Sequence, residues 1–185
     1  MASKLRVNQI EPVNGIPTGG GGGIIQVKNT TVTDTDTLSC ISSWEDSEIT
    51  CSITPTSTSS KILISMSATG EGNAQNQQAF SYRIKKVITG GATSYLQGAS
   101  AGSRTQVFAN TGDYTADSGT SASSFSFSNY LDSPATTSAV TYTVQITYEY
   151  AGGSGTYYLN RQVTDSDAGA NGRFVSWMTL MEVSG

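Results

Sequence analysis

Three observations predict an all-β protein built as an antiparallel sandwich or jelly roll. Strict two-residue alternation runs through "AVTYTVQITYEY" (139–150). Val140, Tyr142, Val144, Ile146, Tyr148 and Tyr150 take one face, and Thr141, Thr143, Gln145, Thr147 and Glu149 take the other. Shorter segments of the same kind recur along the chain, punctuated by Gly- and Ser-rich stretches such as "QGASAGS", "AGGSG" and "DSDAGANG". Finally, the chain has no βαβ rhythm, no helical period and no repeat of roughly 20 to 50 residues, which removes propellers and solenoids.

Residues 1–23 read as an arm. In "KLRVNQI" the apolar Leu5 and Val7 flank Arg6, and Ile10 is a third apolar anchor. So short a strand is not stable alone and is expected to add to another structure. After "EPVNGIP" come five glycines, Gly19, Gly20, Gly21, Gly22 and Gly23. A phosphate-binding loop would need a strand before them, a Lys-Ser or Lys-Thr after them and then a helix. Here "IIQVKNTTV" follows and reads as strand, so the glycines predict a flexible hinge.

Residues 24–185 are expected to form the head, a single β-sandwich domain of nine or ten strands. The first falls near 24–33 and the second near 47–54. "KILISMSA" (61–68) places Ile62, Ile64, Met66 and Ala68 on one face. "AFSYRIKKVI" (79–88) does the same for Phe80, Tyr82 and Ile84. Strands near 93–97 and 105–109 follow, and then "SFSFSNYL" (124–131), where Phe125 and Phe127 alternate with serines. After the long strand at 139–150 come segments at 156–161 and 174–183.

The last segment differs from the rest. "RFVSWMTLMEV" (173–183) carries Phe174, Met178 and Leu180 on one face and Val175, Trp177, Met181 and Val183 on the other. An antiparallel sandwich usually buries one face of each strand. Apolar residues on both faces therefore predict a central strand covered inside by the core and outside by a subunit partner. Tyrosines extend the argument, because tyrosine buries area while its hydroxyl keeps a polar partner. The expected interface is Tyr142, Tyr148, Tyr150, Tyr158, Trp177 and Met181, with Tyr157 alongside.

Composition excludes several functions. The 185 residues are 36% hydrophobic and 13% charged, enough for a real core and too weakly charged for solvation-driven disorder. A net charge of −4 with no Lys/Arg cluster argues against nucleic-acid binding. No apolar run reaches membrane-spanning length, and "MASKLRVNQIEPV" lacks the apolar stretch of a signal peptide, so neither membrane insertion nor ordinary export is expected. The chain contains no histidine, which removes Ser-His and Cys-His nucleophile pairs and the usual zinc patterns. Cys40 and Cys51, eleven positions apart, are expected as buried free thiols. No cofactor, metal or catalytic residue is expected. A glycan depolymerase would need paired carboxylates, and the nearest pair is Asp165 and Asp167 in "TDSDAGANG". That pair suits a turn, and a calcium loop would need a third carboxylate. Glu45, Asp46 and Glu48 read as a solvated loop.

Four strings go further: "SITPTSTSSKILISMSATG" (52–70), "NYLDSPATTSAVTYTVQ" (129–145), "YYLNR" (157–161) and "TLMEVSG" (179–185). They resemble a module of bacteriophage virion proteins, mostly tail fibres and related surface proteins of marine and cyanobacterial phages. The opening "SKLRVNQIEPVNGIPTGGGGGIIQV" is similar to the N-terminal peptide of such fibres. The resemblance implies a compact head similar to the C1q/TNF-type jelly roll, assembled as a homotrimer with its first and last strands near the threefold axis. It implies an arm that docks on another virion protein by strand addition, on the virion surface. It further implies a short tail fibre whose head binds a host glycan or protein through distal loops drawn from 97–104, 110–124 and 151–155. "RTQVFANTGDY" (104–114) offers Arg104, Phe108, Asn110, Asp113 and Tyr114 for that contact. A capsid decoration protein or head fibre is the alternative, and a depolymerase the third reading.

Overall fold

The computed structural model describes residues 23–41, 43–74, 78–113, 122–148 and 154–185. The arm anchors Leu5, Arg6, Val7 and Ile10, the glycines Gly19 to Gly22, and Tyr114 and Tyr150 lie outside the described residues. Among the described residues there is no helix. The strands are β1 (Ile24–Val32), β2 (Asp36–Ile41), β3 (Glu45–Ile53), β4 (Lys61–Ala74), β5 (Gln78–Ile88), β6 (Thr93–Leu96), β7 (Ala109–Asp113), β8 (Ser123–Asp132), β9 (Val140–Tyr148), β10 (Ser154–Leu159) and β11 (Ser176–Val183).

They form two antiparallel sheets packed face to face. The first runs β1-β11-β4-β10-β2, with β8 also paired to β4; the second runs β3-β9-β5-β6, with β7 also paired to β5. With β2 and β10 set aside, the first sheet reads β1-β11-β4-β8, and the chain changes sheet from β1 to β3, β3 to β4, β4 to β5, β7 to β8, β8 to β9 and β9 to β11. That is the connectivity of a jelly roll. β10 and β2 extend it by pairing along the far half of β4, from Gly70 to Ala74.

Period-two burial builds the core between the sheets. Ile62, Ile64, Met66 and Ala68 of β4 face Phe80, Tyr82 and Ile84 of β5 and Val140, Val144 and Ile146 of β9, all of them buried. Those faces follow the alternation in the sequence. Gly70 and Gly72 of β4 lie under aromatic rings: a Cβ at Gly72 would fall inside the Phe80 ring. Cys40 and Cys51 are both buried and unbonded. Burial, aided by Glu45, pushes the Cys40 thiol up to about 12, so it stays protonated.

Three elements depart from the sequence reading. β2 was not expected, because "DTLSCI" offers only Leu38 and Cys40 to the core, and its pairing partner β10 is far away in sequence. The strand expected near 105–109 instead runs as β7 over Ala109–Asp113, and its contact with β5 starts where the Phe108 amide donates to the Tyr82 carbonyl at 2.7 Å. β3 begins at Glu45, so Asp46 is an outward strand residue and not part of a solvated loop. In β9 the Thr143, Gln145 and Thr147 face is also buried. Neighbouring side chains cover it: Thr143 meets Thr50 at 3.0 Å, Gln145 reaches Asp46 and Arg83, and Thr147 donates to the Ser43 carbonyl at 2.6 Å.

Candidate interaction surfaces

The first and last strands pair directly, from Ile24 opposite Val183 to Val32 opposite Ser176, and β11 lies between β1 and β4. Inward, β11 presents Ser176, Met178, Leu180 and Glu182, all fully buried. Glu182 accepts from Gln26 Nε2 at 2.6 Å and from the Thr56 amide and Oγ1, each at 2.7 Å. Burial alone would raise its pKa, but the hydrogen bonds from Gln26 and Thr56 outweigh it and hold the carboxyl below its ordinary value. Glu182 thus ties β11 to β1 and to the turn before β4.

Outward, β11 presents Trp177, Thr179, Met181 and Val183, each only part-covered. The register aligns Val27, Met181, Leu63 and Leu131 in one row across β1, β11, β4 and β8. Val27 is 52% exposed and Leu131 47%. Ile24 continues the apolar surface beside Val183. The neighbouring rows are neutral: Asn29, Thr179 and Ser65, then Thr31, Trp177 and Ser67. Among these paired outward positions only Lys61, opposite Val183, is charged. An apolar row on a charge-depleted face is the composition of an interface core.

Of the residues expected at a subunit interface, Trp177 and Met181 lie on this face. Tyr158 lies on β10 of the same sheet, its ring 4.1 Å from the Arg161 guanidinium. Tyr142 and Tyr148 do not join them; they fill the interior of the single chain, as does Tyr157. Tyr142 donates to Asp132 Oδ2 at 2.8 Å, and burial together with that carboxylate pushes its phenol pKa up. Tyr148 packs against Phe80 with ring centroids 5.6 Å apart. Alternation marks a face as apolar; whether it meets the other sheet or another chain depends on which way the strand is turned.

The predicted receptor residues divide among different environments. Arg104 is exposed and donates to the Ala101 carbonyl at 3.2 Å. Phe108 is not displayed for a partner: it stacks on Phe127 at 4.6 Å, with Tyr130 at 5.1 Å and Phe125 at 6.4 Å. Asn110 sits on β7 and donates to Ser81 Oγ at 3.3 Å. Asp113 ends β7, and its side chain is outside the described residues, as is Tyr114. Asp165 ion-pairs with Arg173 and lies 4.0 Å from Arg161, so it is not one of two free carboxylates across a groove. Among the described residues no group of three or more His, Cys, Asp or Glu is placed to hold a metal ion.

The sequence reading missed a constellation on the outer face of the second sheet. Asp46, Gln145 and Arg83 stand opposite one another across β3, β9 and β5. The Arg83 guanidinium lies 4.3 Å from the Trp44 ring and 3.7 Å from the Tyr95 ring. The sequence signal was weak: a Trp before a strand, and an Arg on the polar face of another.

No protein-family model matches the chain, and no curated protein sequence matches it. Among solved structures, a chain from "Structure of infectious bursal disease virus Gx strain" aligns over 94% of this chain at 9% identity and a TM-score of 0.40. This chain spans 44% of the length of that one, and so distant a likeness bears on no functional assignment.

Proposed function

We propose that the protein is a viral structural protein displayed on a bacteriophage particle: a short homotrimeric tail fibre whose N-terminal arm docks on another virion protein and whose head meets the host surface. The observation that carries this reading is the apolar row Val27, Met181, Leu63 and Leu131 on a nearly charge-free sheet face. A chain of net charge −4 repels its own copies over most of its surface. This face is where copies approach without that repulsion, and burying it removes apolar area from water. The resemblance of residues 52–70, 129–145 and 179–185 to phage surface modules supports the same assignment. On this reading the protein binds and positions, and performs no reaction.

Native mass spectrometry of the full chain tests the assembly, and three copies of 19.3 kDa are expected. Met181→Asp puts a charge into the row at a position outside the chain's own core, so it is expected to yield folded monomer. A wild-type monomer would remove the trimer. Immunogold labelling of intact particles tests the location: label at the tail supports a fibre, whereas label spread over the capsid would replace it with a decoration protein.

A further inference from the structure

We propose that the outer face of the second sheet, around Arg83, is a binding site for a saccharide that carries a carboxylate. The groups are already held in place. Gln145 Nε2 donates to Asp46 Oδ1 at 2.7 Å, and Gln145 Oε1 accepts from Arg83 Nε at 2.7 Å. Lys85 pairs with the other oxygen of Asp46. Each of these cross-strand contacts joins residues fixed by the sheet register, so little side-chain freedom remains to be lost on binding.

Arg83 is the exception in the row. Among the described residues no carboxylate ion-pairs with it. Its Nε is used, and Nη1 makes only a long 3.4 Å bond to Gln97. Donors at the end of the guanidinium therefore remain for a planar anion, the geometry that a carboxylate takes in bidentate fashion. The cation is half-buried beside two aromatic rings. Burial draws its pKa down, with Tyr95 and Asp46 opposing, so it is a partly dehydrated cation lacking a full counter-charge. With Lys85 balancing Asp46, the row carries one net positive charge on an acidic protein.

The rings explain why the ligand is a sugar acid and not a bare ion. Tyr95 lies on the edge strand β6 and is 41% exposed, so the part of its ring that the guanidinium does not cover offers apolar surface next to the cation, and the Trp44 ring is a second aromatic neighbour of the guanidinium. A pyranose ring carrying a carboxylate uses both features, with its apolar face on an aromatic wall and its acid on the fork. The inference adds a ligand class to the host-binding part of the proposed function. It is tested on purified protein, so its failure and a wrong virion location remain distinguishable.

The experiment is calorimetric titration of the full chain with trigalacturonate, and with a neutral galactose trisaccharide as the control. The acidic sugar is expected to bind with a Kd of about millimolar and the neutral one roughly tenfold more weakly. Arg83→Lys keeps the charge and loses the fork, and is expected to weaken binding roughly tenfold. Tyr95→Ala, at an exposed edge position, is expected to weaken it severalfold with the thermal midpoint retained. Absence of trigalacturonate binding by the wild type, equal binding of the neutral sugar, or unchanged binding in Tyr95→Ala and Arg83→Lys would each overturn the proposal.

Discussion

Replacing Asp132 with Ala tests how the two sheets are tied together. Asp132 ends β8 in the first sheet, while its partners belong to the second: Lys86 of β5 at 3.0 Å to both carboxylate oxygens, and Tyr142 of β9 at 2.8 Å. The Asp132 and Lys86 side chains are 9% and 13% exposed, so solvent screens the pair little. Removing the carboxylate leaves a nearly buried ammonium and a buried phenol without this acceptor. Breaking a buried pair in this way costs about 3–5 kcal/mol. The low end of that range, about 3 kcal/mol, is the expectation here, because Lys86 can extend towards water. For a domain of this size it corresponds to a fall in Tm of roughly 6–12 °C. Urea unfolding and calorimetry of Asp132→Ala measure it, and Asp132→Leu combined with Lys86→Met separates the causes. The double variant is expected to recover a large part of the loss, since an apolar pair leaves no stranded charge. A cost below about 1 kcal/mol for Asp132→Ala would refute the view that this trio ties the sheets.

Gly72→Ala is expected to cost about 1–3 kcal/mol, measured by urea unfolding, because the new methyl meets the Phe80 ring. Glu182 has a folded pKa below its unfolded value of about 4.3. Its contribution is therefore fully present above that value and lost as pH falls through the folded pKa. Wild-type stability should drop across that acid window more steeply than that of Glu182→Gln, as followed by thermal melts at stepped pH. The Cys40 thiol, with its pKa pushed up to about 12, should stay unreactive to a thiol reagent at pH 8 until the chain unfolds.

How much of this was legible in the sequence depends on the range of the signal. Alternation in β4, β5 and β9 identifies the inward faces because the pleat sends successive side chains to opposite sides, whatever the fold. β2 escaped notice because its two inward residues, Leu38 and Cys40, make too short a pattern, and its stability comes from β10. The candidate site follows the same rule. Trp177 and Met181 were visible as a second apolar face on β11. Leu63 and Leu131 were not, since each is a single apolar residue on an otherwise polar face, and Val27 joins the row only through the pairing of β1 with β11.

By itself, then, the sequence determined the strand-rich class, the inward residues of the long strands, the free state expected of the cysteines and the doubly apolar character of the last strand. These are local properties, written in pleat periodicity and in residue chemistry. Tertiary structure alone decided that Tyr142 and Tyr148 face the opposite sheet, that Phe108 packs on Phe127, and that Arg83 lies beside Trp44 and Tyr95. Such contacts join residues distant in the chain, and strand register sets them. A one-residue slip in that register would send every one of those side chains to the other face.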